Sequence, residues 1–194
     1  MRDLASRLGQ KRLSVSVKDP RRLRLVYDLL RELGLAGTID VSESGIEIPC
    51  EVLNSTNRAI VFACWLALQV ENCTEAYVGL DLGSKNIGLA LVTGGTVAYT
   101  GLLSSLRTVL SVVKELSKVG IKPLVKIGAS GQLSVLASEV ASELTRHGFQ
   151  VELVSEDEAR IQVILGDFSK LRKVSPHEID ALKIALKPSR KLSL

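Results

Sequence analysis

Three short stretches carry residue types that could do chemistry together. Asp81 closes the apolar run Tyr77-Val78-Gly79-Leu80, where a strand would be buried on both sides. An acid in such a place is costly unless something compensates it. Either it bonds amides of the turn Gly83-Ser84-Lys85-Asn86, or it holds a cation. Glu156 opens the acidic run Glu156-Asp157-Glu158 just past another apolar strand. Carboxylates there also suit the positive end of a helix. His177 and Asp180 stand three apart, so they are neighbours on one helix face. Such a pair also suits a merely polar, solvated first turn. Glu178 has a structural use, because Ser175 and Glu178 form a capping box with Pro176 at the first helical position. If the three stretches converge, carboxylates from distant points repel one another unless a divalent cation neutralises them. Two such ions, Mg2+ or Mn2+, roughly 3.5–4 Å apart can activate a water and stabilise the leaving oxygen of a phosphodiester. Asp81 and Asp180 would be the primary ligands, with Glu156 and His177 completing the set or positioning water.

The elements that must position these residues are legible in the pattern. Tyr77–Leu82, Ile87–Val92 and Thr96–Thr100 read as three strands joined by tight turns, the second of them Gly94-Gly95. A helix over Leu102–Val119, a strand over Pro123–Ile127, a helix over Gln132–His147 and a strand over Phe149–Val154 follow. Helical patterns cover Glu156–Leu165 and Pro176–Leu186. This is an α/β pattern: a mixed five-stranded sheet flanked by helices, with the first, fourth and fifth strands parallel. Their C-terminal ends share one edge, which is where α/β sheets place their sites and where Asp81 and Glu156 would meet.

The block before it, residues 1–75, reads as a small β-α-β-β-α accessory domain of α+β type, with residues 76–194 forming the second domain. Arg12–Lys18 alternates as a strand, Asp19-Pro20 opens a helix that Gly34 ends, and Thr38–Val41 with Ile46–Ile48 forms a hairpin. Ser55 or Thr56 then caps a helix running to Val70. Arg2, Arg7, Lys11, Arg12, Lys18, Arg21, Arg22, Arg24 and Arg31 make this block basic, within a chain of net charge +4. That distribution suits a phosphate-contacting arm as well as a solvated face. Lys85 and Asn86, beside Asp81, are further candidates for phosphate contact. Cys50, Cys64 and Cys73 show no metal or disulfide spacing. With no apolar stretch long enough to span a bilayer and no secretory leader pattern, a cytoplasmic protein with no membrane partner is expected.

Val78-Gly79-Leu80-Asp81-Leu82-Gly83-Ser84-Lys85-Asn86-Ile87-Gly88-Leu89-Ala90, Val151–Glu156 and His177–Leu186 resemble three segments of the ribonuclease-H-like superfamily, in its RuvC-like and YqgF-like resolvase branch. The resemblance spans Tyr77 to Leu186. It implies a metal-dependent endonuclease acting on branched DNA, such as a Holliday junction, or on structured RNA. It also implies Mg2+ or Mn2+ as cofactor and a possible homodimer. Two departures are visible: Lys122–Gly128 holds no Glu where RuvC-type enzymes carry one, and Ser155 stands where YqgF-type proteins place Asp. Two other classes fit parts of the pattern. One is a catalytically silent module of the same fold that binds nucleic acid or protein. The other is an actin-like phosphotransferase, whose phosphate hairpin also reads D-x-G-S/T.

Overall fold

The structure is a computed structural model that describes residues 2–129, 134–155 and 174–188. The chain enters through a two-residue strand, β1 (Arg2–Asp3), and helix α1 (Leu4–Lys11). Strand β2 (Ser14–Ser16), helix α2 (Leu23–Glu32), strands β3 (Asp40–Val41) and β4 (Ile46–Glu47) and helices α3 (Cys50–Asn54) and α4 (Arg58–Glu71) follow. The second part runs β5 (Glu75–Leu82), β6 (Ile87–Thr93), β7 (Thr96–Leu103), α5 (Leu106–Lys118), β8 (Lys122–Gly128), α6 (Ser134–Arg146), β9 (Gln150–Val154) and α7 (Pro176–Leu186).

The main sheet has the order β1-β7-β6-β5-β8-β9. Its five long strands are those expected: β6 runs antiparallel to β5 and β7, while β5, β8 and β9 are parallel. The sixth strand was not expected. Arg2 and Asp3 pair parallel to β7, covering an edge that would otherwise be open. Strand β7 also runs on through Gly101 to Leu103, because residues 101–103 complete the ladder to Ile87–Leu89. The following helix therefore starts later than its apolar spacing implied. Ser105 caps it by accepting from the Thr108 amide.

Both faces of β5 are covered, so its sequence is apolar without alternation. Val78, Leu80 and Leu82 are buried on one side, in a core shared with α4 and α5. That core is continuous from Leu4 to Leu144. Helix α4 is apolar almost all round, with Ile60 through Leu68 buried, and it packs against β6, β7 and the helices α1, α2, α3 and α5. Each fully buried side chain of the size of Phe62 or Leu66 contributes about 2–3 kcal/mol. The other face of β5, with Tyr77, Gly79 and Asp81, lies under α7. Among the described residues, no helix is long and apolar enough to cross a membrane.

Two expectations for the first 75 residues are corrected. Residues 40–41 and 46–47 do not pair with each other as a hairpin. They lie on opposite sides of β2, both parallel to it. The segment between them arches over buried Val15, with the Ser42 amide donating to the Val15 carbonyl. Gly45 permits that arch, since a Cβ there would sit 2.4 Å from the Val15 backbone. The cap of the long helix is Asn57 rather than Ser55 or Thr56, and the Ser55 hydroxyl accepts from the Asn57 amide at 3.0 Å just ahead of the helix. Glu115 of α5 reaches across as well, accepting from the Ser55 hydroxyl at 2.6 Å and from the amides of Thr56 and Asn57 at 3.2 and 3.1 Å. Helix α1 forms within the basic stretch, where no helix was expected.

Part of that basic segment serves the fold. Arg7 donates to both oxygens of Glu71, at 2.7 and 3.1 Å, and Thr96 donates to the same carboxylate at 2.7 Å. This joins α1, α4 and β7. The Arg7 bonds hold the Glu71 carboxyl below its ordinary value, against burial, which pushes it up. The unfolded chain protonates at the ordinary value, so the stabilisation is complete above about 4.5 and is lost as pH falls through the lower folded value. Glu71→Gln is therefore expected to lower the melting temperature at neutral pH. Circular dichroism melts should show the gap to the parent closing as pH is taken below 4.5.

Candidate active site

The site is built where β5 ends under the first turn of α7. Asp81 is the penultimate residue of β5 and only 8% exposed. Helix α7 begins with the capping box read from the sequence. The Ser175 hydroxyl accepts from the Glu178 amide, the Glu178 carboxylate accepts from the Ser175 amide, and Pro176 follows the cap. This fixes the direction of the first turn, and His177 is the next residue along it.

Three glycines set how close the helix can lie. A Cβ on Gly79 would sit 2.0 Å from the Ala181 carbonyl oxygen, and one on Gly88 would sit 2.1 Å from the His177 carbonyl oxygen. A Cβ on Gly83 would meet the His177 ring at 2.7 Å. Gly88 lies directly opposite Asp81 in the β5–β6 ladder. Glycine in a strand marks such an approach of another backbone. The glycines at 79, 83 and 88 are thus the one sequence signal of where the helix lies.

His177 meets Asp81 with its Nδ1 2.5 Å from Oδ2. The two residues are 96 apart in the chain. A carboxylate accepts, so in the neutral ring Nδ1 donates and Nε2 is the open nitrogen. The imidazole is about half exposed, whereas the Asp81 side chain is nearly covered. Of the two readings for Asp81, bonding to the amides of the next turn is not found among the described residues. Its recorded partner is His177, and Oδ1 has no protein donor among those residues.

Asp180 lies one turn further along α7, half exposed, and accepts from Lys183 at 2.7 Å. Glu178 is buried between Thr100, which donates to it at 3.1 Å, and the Ser175 amide at 2.9 Å. Its capping role is as expected, and the bond to Thr100 on β7 is an addition that no spacing announced. Lys85 and Asn86 are exposed in the turn 83–86, which closes through the Gly83 amide donating to the Asn86 carbonyl at 3.1 Å. Glu156 lies outside the described residues. Among the described residues, no group of three or more His, Cys, Asp and Glu side chains is close enough to hold a metal ion. The pair at the centre is Asp81 with His177.

The sequence reading missed a polar layer beneath α7. Lys126 of β8 is buried, its ammonium 4.6 Å above the Tyr77 ring, and it donates to the Lys187 carbonyl at the end of α7. Lys187 in turn donates to the Ser155 carbonyl, just past β9. Burial pushes the Lys126 amine down, and Glu152, its neighbour in the β8–β9 ladder, pulls it back up. Two lysines thus tie the end of α7 to β8 and to the exit of β9. A lysine alternating within a strand gives no sign from sequence that a helix will cover it.

Chemically, the arrangement offers a buried carboxylate and an imidazole held by it, while Asp180, one turn along α7, is paired with Lys183. Neither a protein-family model nor a curated protein matches this chain.

Proposed function

We propose that the chain is a metal-dependent endonuclease with a ribonuclease-H-like fold, acting on branched DNA or structured RNA. The observation that carries this reading is the meeting of Asp81 and His177 across 96 residues of chain, at the edge of the sheet where α/β folds place their sites. The strand order β7-β6-β5-β8-β9, with only β6 reversed among the long strands, supports it as the scaffold expected from the resemblance. A divalent cation bound there would polarise a phosphoryl oxygen and lower the pKa of its bound water. Asp81 and Asp180 would hold it. Asp81 also orients His177, whose Nε2 lies beside Gly83 and would hold or pass a proton. Lys85 and Asn86, exposed in the adjoining turn, would contact phosphate.

The test is cleavage of four-way junction DNA, duplex DNA and RNA, with and without Mg2+ or Mn2+. Metal-dependent cleavage supports the reading. A second reading, a silent module that binds nucleic acid or protein, is favoured by one observation: β8 carries no carboxylate. Binding without cleavage of any substrate would select it. In either case, phosphate contact makes affinity fall steeply with salt. Lys85→Ala is expected to weaken binding and to reduce the slope of log K against log salt by about 1, read by fluorescence anisotropy.

A further inference from the structure

Helix α2 and the tight turn Pro20–Arg22 ahead of it carry two arginine–aspartate–arginine trios on an exposed surface. In the first, Asp19 accepts from the Arg21 side chain at 3.0 and 3.1 Å. The Arg21 bonds, and the charge of Arg22 close by, hold the Asp19 carboxyl below its ordinary value. In the second, Asp28 stands 4.0 Å from Arg24 Nε and 3.4 Å from Arg31 Nη1. Four guanidiniums thus face two carboxylates, and each trio keeps one positive charge. Lys18 and Glu32, at the two ends of the stretch, offset each other. Arg21 and Arg24 are 90% and 94% exposed, so the aspartates hold them loosely and a stronger anion can take them.

Between the trios lies an apolar pair. Leu23 and Tyr27 are four residues apart on one face of α2 and 39% and 44% exposed. Arg31 continues the same row, and Arg24 and Asp28 form the row beside it. Arg22 is unusual in another way. Its Nη1 is covered yet has no hydrogen-bond partner among the described residues. Covered donors in that state are rare, and the missing bond is gained if the side chain swings out to an anion. An exposed ring flanked by cations matches an unpaired nucleobase and its phosphates, since the base stacks and the guanidinium forks take the phosphates. A duplex offers no free base to the ring. A lipid surface needs a broader apolar face than two side chains give. We propose that this face of α2 binds single-stranded nucleic acid, with Tyr27 stacking on a base and Arg21, Arg22, Arg24 and Arg31 contacting phosphates. The surface is separate from the pair Asp81 and His177, and it stands without the cleavage reading.

The experiment is fluorescence anisotropy of the full chain with labelled oligothymidylate and with a duplex of the same length, in EDTA. The parent is expected to prefer the single strand. Tyr27→Ala is expected to weaken that binding by about 5- to 100-fold, the loss of one stacked base, while Tyr27→Phe keeps it. Arg24→Ala with Arg31→Ala is expected to lower the slope of log K against log salt by about 1.4. Lys114→Ala with Lys118→Ala, exposed on α5, should leave affinity and slope as they are. No binding of the single strand, a folded Tyr27→Ala variant that binds like the parent, or equal losses from the arginine and lysine pairs overturns the proposal. Binding of phosphatidylserine vesicles without binding of the oligonucleotide assigns the face to lipid headgroups and overturns it as well. If circular dichroism shows Tyr27→Ala unfolded, the salt slopes of the two charge pairs decide. Tyr27-dependent binding with no cleavage of any nucleic acid overturns the nuclease reading and leaves this surface standing. Metal-dependent cleavage with binding indifferent to Tyr27 does the reverse.

Discussion

Asp81→Asn is expected to reduce metal-dependent cleavage by at least about 100-fold while the protein keeps its fold. Removing a hydrogen-bonded partner of a metal ligand costs roughly 10–100-fold, and removing a ligand outright costs more. Asparagine has nearly the same shape, and its carbonyl oxygen can still accept from His177 Nδ1. What it lacks is the negative charge and the second carboxylate oxygen. Stability should therefore change little, and melting curves of parent and variant should nearly coincide. Cleavage assays on the preferred substrate, run beside those melts, separate a chemical role from a structural one. An Asp81→Asn protein that cleaves as fast as the parent would remove the acid from the mechanism.

The second large effect comes from a residue with no side chain. In Gly88→Ala the new methyl group would lie 2.1 Å from the His177 carbonyl oxygen and 2.6 Å from its carbonyl carbon. Both are backbone atoms of a capped first turn, so the helix itself must lift. Overpacking of this kind costs about 1–3 kcal/mol. The lift also draws the imidazole from Asp81, and a displacement of about 1 Å at reacting groups costs on the order of 100-fold in rate. Gly88→Ala is thus expected to lower both stability and activity, where Asp81→Asn lowers activity alone. Gly9→Ala is the control: nothing lies within 4 Å of its Cβ position in α1, so the variant should be as stable as the parent or more so. Chemical denaturation with cleavage assays on the same samples reads all three.

These two variants also show where sequence reasoning reached and where it stopped. The capping box Ser175–Glu178 was legible because capping is a local matter of four residues, and both of its bonds are present. The long strands of the main sheet and the span of α7 were legible because apolar period and turn residues are local as well. The false hairpin at residues 40–47 had good local signals too. It gave way because β2 offered two open edges and Gly45 let the chain arch over Val15. Helix α1 and the edge strand Arg2–Asp3 depend on partners far along the chain, Glu71 and β7, which no window around them contains. Lys126 alternates like any exposed strand residue until α7 is laid over it.

The sequence by itself determined which residues could act: an acid at the end of an apolar strand and a His three residues before an Asp at a helix start. It also determined the local elements that carry them, since helix caps, turns and strand runs are set by near neighbours. Only the tertiary structure decided that His177 stands on Asp81, while Asp180, one turn along, pairs with Lys183. It decided as well that glycines 79, 83 and 88 make room for that contact. The reason is that a helix settles on a sheet at the distance the smallest side chains between them allow, and that distance belongs to two segments at once.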